Sequence, residues 1–273
     1  MEIIEFARSP WGQDVPIHIS FALIWVCGIA GLAFLICHAI YVKFMAKPEE
    51  FEATAPELAA KVPEKVARHS FASRAFHWVM AAAMFALLIT AFLPKIGYQF
   101  AWVTYHWIAG IVLTVSILFH LVHTTFFLDP WAIWPDKTDI EDAKRRWLRM
   151  RGQAAPAPRK FAKYPMENKM YHFMIVLTGL SVTITGFFMM FRIRTPFFER
   201  NPYLFGDLTW GLMYVLHGLA GVGLIALIMA HVYFAVRPEK FVMTKAMVFG
   251  SIDKEHFLEH HDPKRWVVSE TSK

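Results

Sequence analysis

Histidine is the residue type in this sequence that points most directly to chemistry. Thirteen histidines occur in a chain that is 56% hydrophobic and only 18% charged. Nine of them fall within apolar segments long enough to cross a membrane: His18, His38, His77, His106, His120, His123, His172, His217 and His231. Ionisable residues are costly at membrane depth, so these histidines are candidates for a functional site, although any single one is equally consistent with an interfacial histidine.

The spacing of two histidines in the last apolar segment suggests what they do. His217 and His231 are 14 residues apart, which is nearly four helical turns, so both lie on one helix face about 21 Å apart along the axis. Neutral imidazole is a common axial ligand of haem iron, and helix bundles build such sites between facing helices. The spacing therefore predicts two haem sites, one near each membrane face.

Each haem needs a second axial ligand at the same depth. His106 lies at the start of its segment, which places it at the same membrane depth as His217. His77 also lies at the start of its segment, which places it at the same depth as His231. His106 and His120 are also 14 residues apart, so spacing alone leaves open an arrangement in which His120 replaces His77.

Two further residues are candidates for contact with a haem. Gly110 lies one turn after His106, where a small residue would let a flat macrocycle approach, although small residues also serve plain helix packing in membranes. Arg74 lies one turn before His77 and could pair with a propionate, or it could simply be a charge on the cytoplasmic side.

Five apolar segments are predicted to span the membrane. They are Ile17–Val42, Ala75–Leu93, Trp102–Phe127, Lys169–Phe191 and Leu208–Val236. With five spans, 23 of the 28 Lys and Arg residues fall on one side and five on the other. The positive-inside rule then predicts a periplasmic N-terminus and a cytoplasmic C-terminus. This topology accounts for the net charge of +6, so nucleic acid is not an expected partner.

The sequence also limits the redox groups that the chain can hold. Cys27 and Cys37 both lie in the first apolar segment, and there is no CxxCH motif, so neither a covalently attached haem nor an iron–sulfur cluster is expected. No residues suited to oxidising a substrate are evident. The chain is therefore predicted to be an electron-transfer subunit rather than a complete enzyme.

A series of short motifs is similar to those of one known family. They are Arg74-Ala75-Phe76-His77-Trp78, His106 with Gly110, Lys163-Tyr164, Leu216-His217-Gly218-Leu219-Ala220-Gly221, His231, and His260-His261-Asp262-Pro263-Lys264-Arg265-Trp266. Over about Arg68 to Trp266, the chain resembles the cytochrome b (gamma) subunit of membrane-bound formate dehydrogenases. That family overlaps with the cytochrome b subunits of nickel–iron hydrogenases.

The resemblance implies a set of ligands and partners. It implies that His77 and His231 hold a cytoplasmic haem b, and that His106 and His217 hold a periplasmic one, which favours His77 over His120. It further implies that electrons come from a periplasmic catalytic dehydrogenase subunit through an iron–sulfur subunit. They would then cross both haems to a quinone, either menaquinone or ubiquinone.

The sequence departs from this family at two places. Ile17–Val42 has no counterpart in the four-helix form of the family. After Lys163-Tyr164 the family often has a run of Asn, Gly and Gln, whereas here the residues are Pro165-Met166-Glu167-Asn168. The quinone is expected near Asn168, His172 and His231.

The predicted fold is an all-α integral membrane protein of the bacterial inner membrane, with a four-helix di-haem cytochrome b bundle and one extra N-terminal transmembrane helix. Residues 1–50 form the N-terminal segment and extra helix, 68–240 the bundle, and 241–273 a cytoplasmic tail. Membrane lipid is an expected contact, especially for the basic run Lys144–Arg151. Two alternatives remain: a haem-free anchor or transporter, and a stand-alone transmembrane haem reductase.

Two histidines of the predicted tail could bind a metal ion. If the tail is helical, His256 and His260 lie one turn apart. No further ligand is evident from the sequence, so the preferred interpretation is a tail that contacts partner subunits.

Overall fold

The computed structural model describes residues 2–46 and 51–268. Residues 47–50 and 269–273, which belong to the predicted N-terminal segment and tail, lie outside the described residues. The chain is mostly helical, with α1 Phe21–Phe44, α2 Pro56–Ala60, α3 Phe71–Phe92, α4 Trp102–Phe127, α5 Lys137–Met150, α6 Met166–Met189, α7 Asp207–Val236, α8 Phe241–Phe249 and α9 Lys254–His260. Its short strands are β1 Ile4–Arg8, β2 Asp14–Ile19, β3 Lys65–Ala67 and β4 Ser251–Asp253.

Within the described residues, five helices are long and apolar enough to cross a membrane. Their bounds, including short 3-10 extensions, are Phe21–Phe44, Phe71–Ile96, Trp102–Phe127, Met166–Arg192 and Asp207–Val236. They carry many exposed aliphatic and aromatic side chains, as expected where a helix faces lipid. The all-α integral membrane fold predicted from the sequence is thus confirmed, and the chain is a multi-pass membrane protein.

The first long helix begins later than the sequence predicts. Its predicted start, Ile17, belongs to β2, which pairs antiparallel with β1. Pro16 lacks a backbone N–H and is unfavourable inside a helix, and the helix starts only at Phe21. His18, predicted to lie in a span, is therefore in a strand, where its Nε2 lies 3.5 Å from Glu5 Oε2.

One compact unit of the molecule comprises Met1–Ala39, His77–Phe119 and Met174–Val232. Within it, β2 lies directly against α7. A Cβ atom at Gly211 would be only 1.9 Å from the carbonyl oxygen of Pro16, so only glycine allows this approach. Ile19 at the end of β2 packs with Val215 and Val222 of α7 in a small buried cluster.

The second compact unit comprises Ile40–Phe76, His120–Phe173 and Tyr233–Lys273. Its core contains Val66, Ala246, Ile252 and Phe257, each at most 2% exposed. Strands β3 and β4 pair antiparallel within this core. Gly250, at φ +91°, ends α8 in the left-handed conformation and so lets the chain turn into β4.

The amphipathic helix α5 is tied to the start of α6 by buried ion pairs. Asp136 and Asp139 form a capping box that begins α5. Asp139 accepts a hydrogen bond of 2.5 Å from Lys169 in the first turn of α6, and Arg265 Nη2 lies 3.1 Å from its other oxygen. Burial opposes ionisation of Asp139, but Lys169 and Arg265 together lower its pKa. The network holds the start of α6 against α5.

Candidate functional site

Two pairs of histidines face each other between membrane helices of the first unit. The α4–α7 pair consists of His106 and His217, whose ring centroids are 6.2 Å apart with an interplanar angle of 65°. The α3–α7 pair consists of His77 and His231, with the same 6.2 Å separation and an angle of 49°. A metal–imidazole bond is about 2 Å long, so two imidazoles on opposite sides of one metal ion have centroids about 6 Å apart. Both pairs have this separation.

Helix α7 supplies one histidine to each pair. It runs without interruption from Asp207 to Val236 and carries both His217 and His231. This single helix thus sets the spacing between the two pairs, while α3 and α4 each provide one opposing ring. This arrangement matches the face-sharing inferred from the 14-residue interval.

In the α4–α7 pair, a threonine hydroxyl holds the ring of His217. Thr185 Oγ1 donates a hydrogen bond of 2.5 Å to the Ser181 carbonyl and lies 2.9 Å from His217 Nδ1. A hydroxyl has one hydrogen to donate, so Thr185 accepts from the Nδ1–H of His217. The lone pair of the neutral imidazole is then on Nε2, the atom that a metal would bind.

The ring of His106 is held in the same way. Thr90 Oγ1 donates to the Ala86 carbonyl at 2.7 Å and lies 2.9 Å from His106 Nδ1. The same count of hydrogens makes Nδ1 of His106 the donor and leaves its lone pair on Nε2. Thr90 and Thr185 are 4% and 8% exposed, so both contacts are shielded from solvent.

The α3–α7 pair differs at this second nitrogen. Nδ1 of His77 is buried and has no hydrogen-bond partner among residues 2–46 and 51–268. Its ring meets the indole of Trp78 edge-on, with centroids 5.1 Å apart. The two pairs are therefore alike in separation but unlike in how their rings are supported.

The alternative ligand, His120, lies in a different cluster in the second unit. Its ring is 6.5 Å from that of His172 and stacks flat on Phe76, with centroids 4.4 Å apart and planes within 6°. Trp134 meets His172 edge-on at 6.2 Å. The structure thus brings His120 together with His172, and His77 together with His231.

A match to a known protein family covers the region that contains the two histidine pairs. The sequence model of the prokaryotic cytochrome b561 family matches residues 68–250, more than half of the chain. The chain belongs to this family. No curated protein matches it significantly. Family membership implies a b-type haem and a role in electron transfer across the membrane.

The paired histidines of this cytochrome fit such a haem. All four fall inside the matched region, and two of them have Nε2 as the available nitrogen. Beside α4, no neighbouring atom lies within 4 Å of where a Cβ on Gly110 would sit, so nothing at this position obstructs a flat macrocycle. Helix α1 lies outside the matched region.

The other predicted site residues lie in the second unit of the cytochrome. Asn168 is exposed in the first turn of α6. Arg74 donates a hydrogen bond to the Val248 carbonyl, while its Nε is buried without a hydrogen-bond partner in the described part of the chain. His172 also has a buried Nδ1 for which residues 2–46 and 51–268 offer no hydrogen-bond partner.

Three residues around the α4–α7 pair were missed by reasoning from the sequence. They are Thr90, Thr185 and Gly186. A Cβ added to Gly186 would lie 3.2 Å from Cε1 of His217. Hydroxyls that bond the carbonyl one turn back are common in membrane helices, so a threonine in the sequence gives no sign that it also holds a histidine.

The motif near the end of the cytochrome is used for packing. His261 is 2% exposed, donates from Nδ1 to the Ala162 carbonyl at 2.7 Å, and meets Trp266 edge-on. Burial, and then the nearby Arg68 guanidinium, lower the pKa of His261 to about 3, so the ring is neutral at physiological pH. Arg68 in turn lies over the ring of Trp266.

Proposed function

We propose that this cytochrome is the di-haem subunit of a membrane-bound oxidoreductase similar to formate dehydrogenase. Electrons would enter from a periplasmic catalytic dehydrogenase subunit through an iron–sulfur subunit and leave to menaquinone or ubiquinone near the cytoplasmic face. The observation that carries this proposal is the equal 6.2 Å ring separation in the α4–α7 and α3–α7 pairs. One pair would suffice for a single haem, and two pairs support two.

The four paired histidines would each provide one nitrogen to a haem iron, His106 with His217 and His77 with His231. The bound haem iron supplies the one-electron chemistry that side chains lack. Thr90 and Thr185 keep two of the rings in the tautomer that leaves Nε2 free. Arg74, whose buried Nε has no hydrogen-bond partner among residues 2–46 and 51–268, is proposed to pair with a propionate.

Quinone binding is proposed near Asn168, His172 and His231, as the resemblance implies. Asn168 presents an exposed amide, and His172 has a buried ring nitrogen that finds no hydrogen-bond partner among the described residues. Both side chains could donate to the carbonyl oxygens of a quinone. A quinone analogue that leaves haem reoxidation unchanged would count against this placement.

The topology belongs to the same proposal. The distribution of Lys and Arg supports a bacterial inner-membrane location with a periplasmic N-terminus and a cytoplasmic C-terminus. In this arrangement the basic residues of α5 lie on the cytoplasmic side, where anionic lipid would attract them. Helix α1 contains no buried residue, which suits a contact with lipid or with a partner subunit.

The decisive experiment is a dithionite-reduced minus oxidised spectrum of the purified chain, with haem quantified per polypeptide. We expect two b haems in the wild-type chain and about one in His77→Ala. His120→Ala is the matched control, because it removes an intramembrane histidine that lies against His172 and Phe76. Loss of haem in His120→Ala but not in His77→Ala would overturn the assignment.

Co-purification tests the partners separately. If the proposal is correct, a dehydrogenase subunit and an iron–sulfur subunit should travel with the chain when it is isolated from its native membrane in mild detergent. A folded chain that contains no haem, despite a supply of haem, would instead favour a membrane anchor or transporter. Two haems without any partner subunit would favour a stand-alone reductase.

A further inference from the structure

A second group of potential metal ligands lies on α9, in the unit outside the two histidine pairs. His256, Glu259 and His260 place one ligand atom each within 4.8 Å of one another. The two imidazoles lie side by side, with ring centroids 4.5 Å apart and planes inclined by 26°. Histidines four residues apart on a helix project from the same face, and this is a common way to bind a metal ion in adjacent coordination positions.

The Nδ1 of His260 faces a backbone carbonyl, as the second nitrogen of a metal-bound histidine often does. This nitrogen lies 3.3 Å from the carbonyl oxygen of His256, to which it can donate a hydrogen bond. Metal-bound histidines usually donate their second nitrogen to a carbonyl or carboxylate in this manner, which keeps the lone pair on Nε2.

The platform under these three residues is fixed by packing. Phe257 is fully buried in the core of the second unit, and α9 thereby has one side anchored. The backbone N–H of Phe161 donates to the His260 carbonyl at 2.9 Å, and Asp262 N–H donates to the Phe161 carbonyl at 2.9 Å. Ligands on a rigid element need little reorganisation to bind an ion.

We propose that His256, Glu259 and His260 bind a divalent first-row transition metal ion, with Zn²⁺ the representative case. Two imidazoles and one carboxylate leave a fourth position for water, as in zinc sites that are not purely structural. The two imidazole ligands favour an ion that bonds to nitrogen over Ca²⁺ or Mg²⁺, which prefer oxygen ligands.

The test is equilibrium dialysis of Zn²⁺ against the full-length, haem-loaded chain without an affinity tag, with zinc and haem counted per polypeptide. We expect one zinc at micromolar free Zn²⁺ in the wild-type chain and none in His256→Gln/His260→Gln. Glu259→Gln should weaken binding at least about tenfold, since even outer partners of metal ligands contribute about 10–100-fold in affinity.

The matched control is Glu255→Gln, which changes a carboxylate on the same helix outside the group of three and should bind zinc like the wild type. Haem content and the melting temperature report whether each variant is folded. If the double variant is not folded, Glu259→Gln against Glu255→Gln decides. No zinc uptake by the wild-type chain, or equal uptake by wild type and Glu259→Gln, would overturn the proposal. Neither result depends on the number of haems.

Discussion

The α4–α7 and α3–α7 histidine pairs have the same separation but different support. In the first, both rings have Nδ1 within 2.9 Å of a threonine hydroxyl that is itself bonded to a helix carbonyl. In the second, Nδ1 of His77 is buried with no hydrogen-bond partner in residues 2–46 or 51–268. The helices thus set the positions of the paired rings, whereas nearby side chains decide whether Nδ1 of a ring has a hydrogen-bond acceptor.

This difference has a consequence for the direction of electron flow. A hydrogen bond from Nδ1–H makes an imidazole a more basic ligand, which stabilises the ferric state and lowers the midpoint potential. We therefore expect the lower potential at the α4–α7 pair. In the proposed topology that pair is nearer the periplasm, so electrons from a periplasmic donor would move downhill towards the α3–α7 pair.

Two single variants, each of which removes one histidine from a different pair, should have the largest effect on haem content. His217→Ala should leave about one haem per chain, of the higher potential, because only the α3–α7 pair remains complete. His77→Ala should also leave about one haem, of the lower potential. Redox titration followed at the haem absorption bands measures both the amount and the potential. The same surviving potential in the two variants would contradict the assignment of one haem to each pair.

Loss of the threonine hydroxyls should have an intermediate effect. Thr185→Ala or Thr90→Ala removes the hydroxyl acceptor from one ring and should raise the lower midpoint potential by at most about 60 mV. This limit corresponds to a hydrogen bond of about 0.5–1.5 kcal/mol in a one-electron couple, of which only the difference in strength between the ferric and ferrous states shifts the potential. The higher potential should not move.

Thr178→Ala is the control for this prediction. Its hydroxyl donates to the Met174 carbonyl on the same helix as Thr185, and no contact with a paired histidine is seen within the described ranges. A shift in Thr178→Ala as large as in Thr185→Ala would mean that the potentials respond to general changes in α6. In that case the contrast between the two pairs would lose its explanation.

The sequence predicted the helices and the paired rings because both follow from simple periodicities. Long apolar runs require backbone hydrogen bonds inside a helix, and an interval of 14 residues fixes a shared face. Spacing alone did not resolve His77 from His120, although the family resemblance favoured His77, and the packing of α3 against α7 places the ring of His77 next to that of His231. The predicted start of α1 at Ile17 was wrong. Residues 17–19 continue the apolar segment in sequence, but they belong to β2, which pairs with β1.

The smallest effect on the haems is expected from a substitution at Gly186, which lies beside the ring of His217. Gly186→Ala would place a Cβ 3.2 Å from Cε1 of His217, so the imidazole must move by a few tenths of an ångström while keeping its bond to Thr185. We expect both haems to be retained, with a change in the electron paramagnetic resonance of one haem and a potential shift smaller than in Thr185→Ala. Gly179→Ala is the control, since a Cβ there meets no atom within 4 Å. If Gly186→Ala perturbed the higher-potential haem instead, His217 would belong to the other site and the comparison between the pairs would have to be reversed.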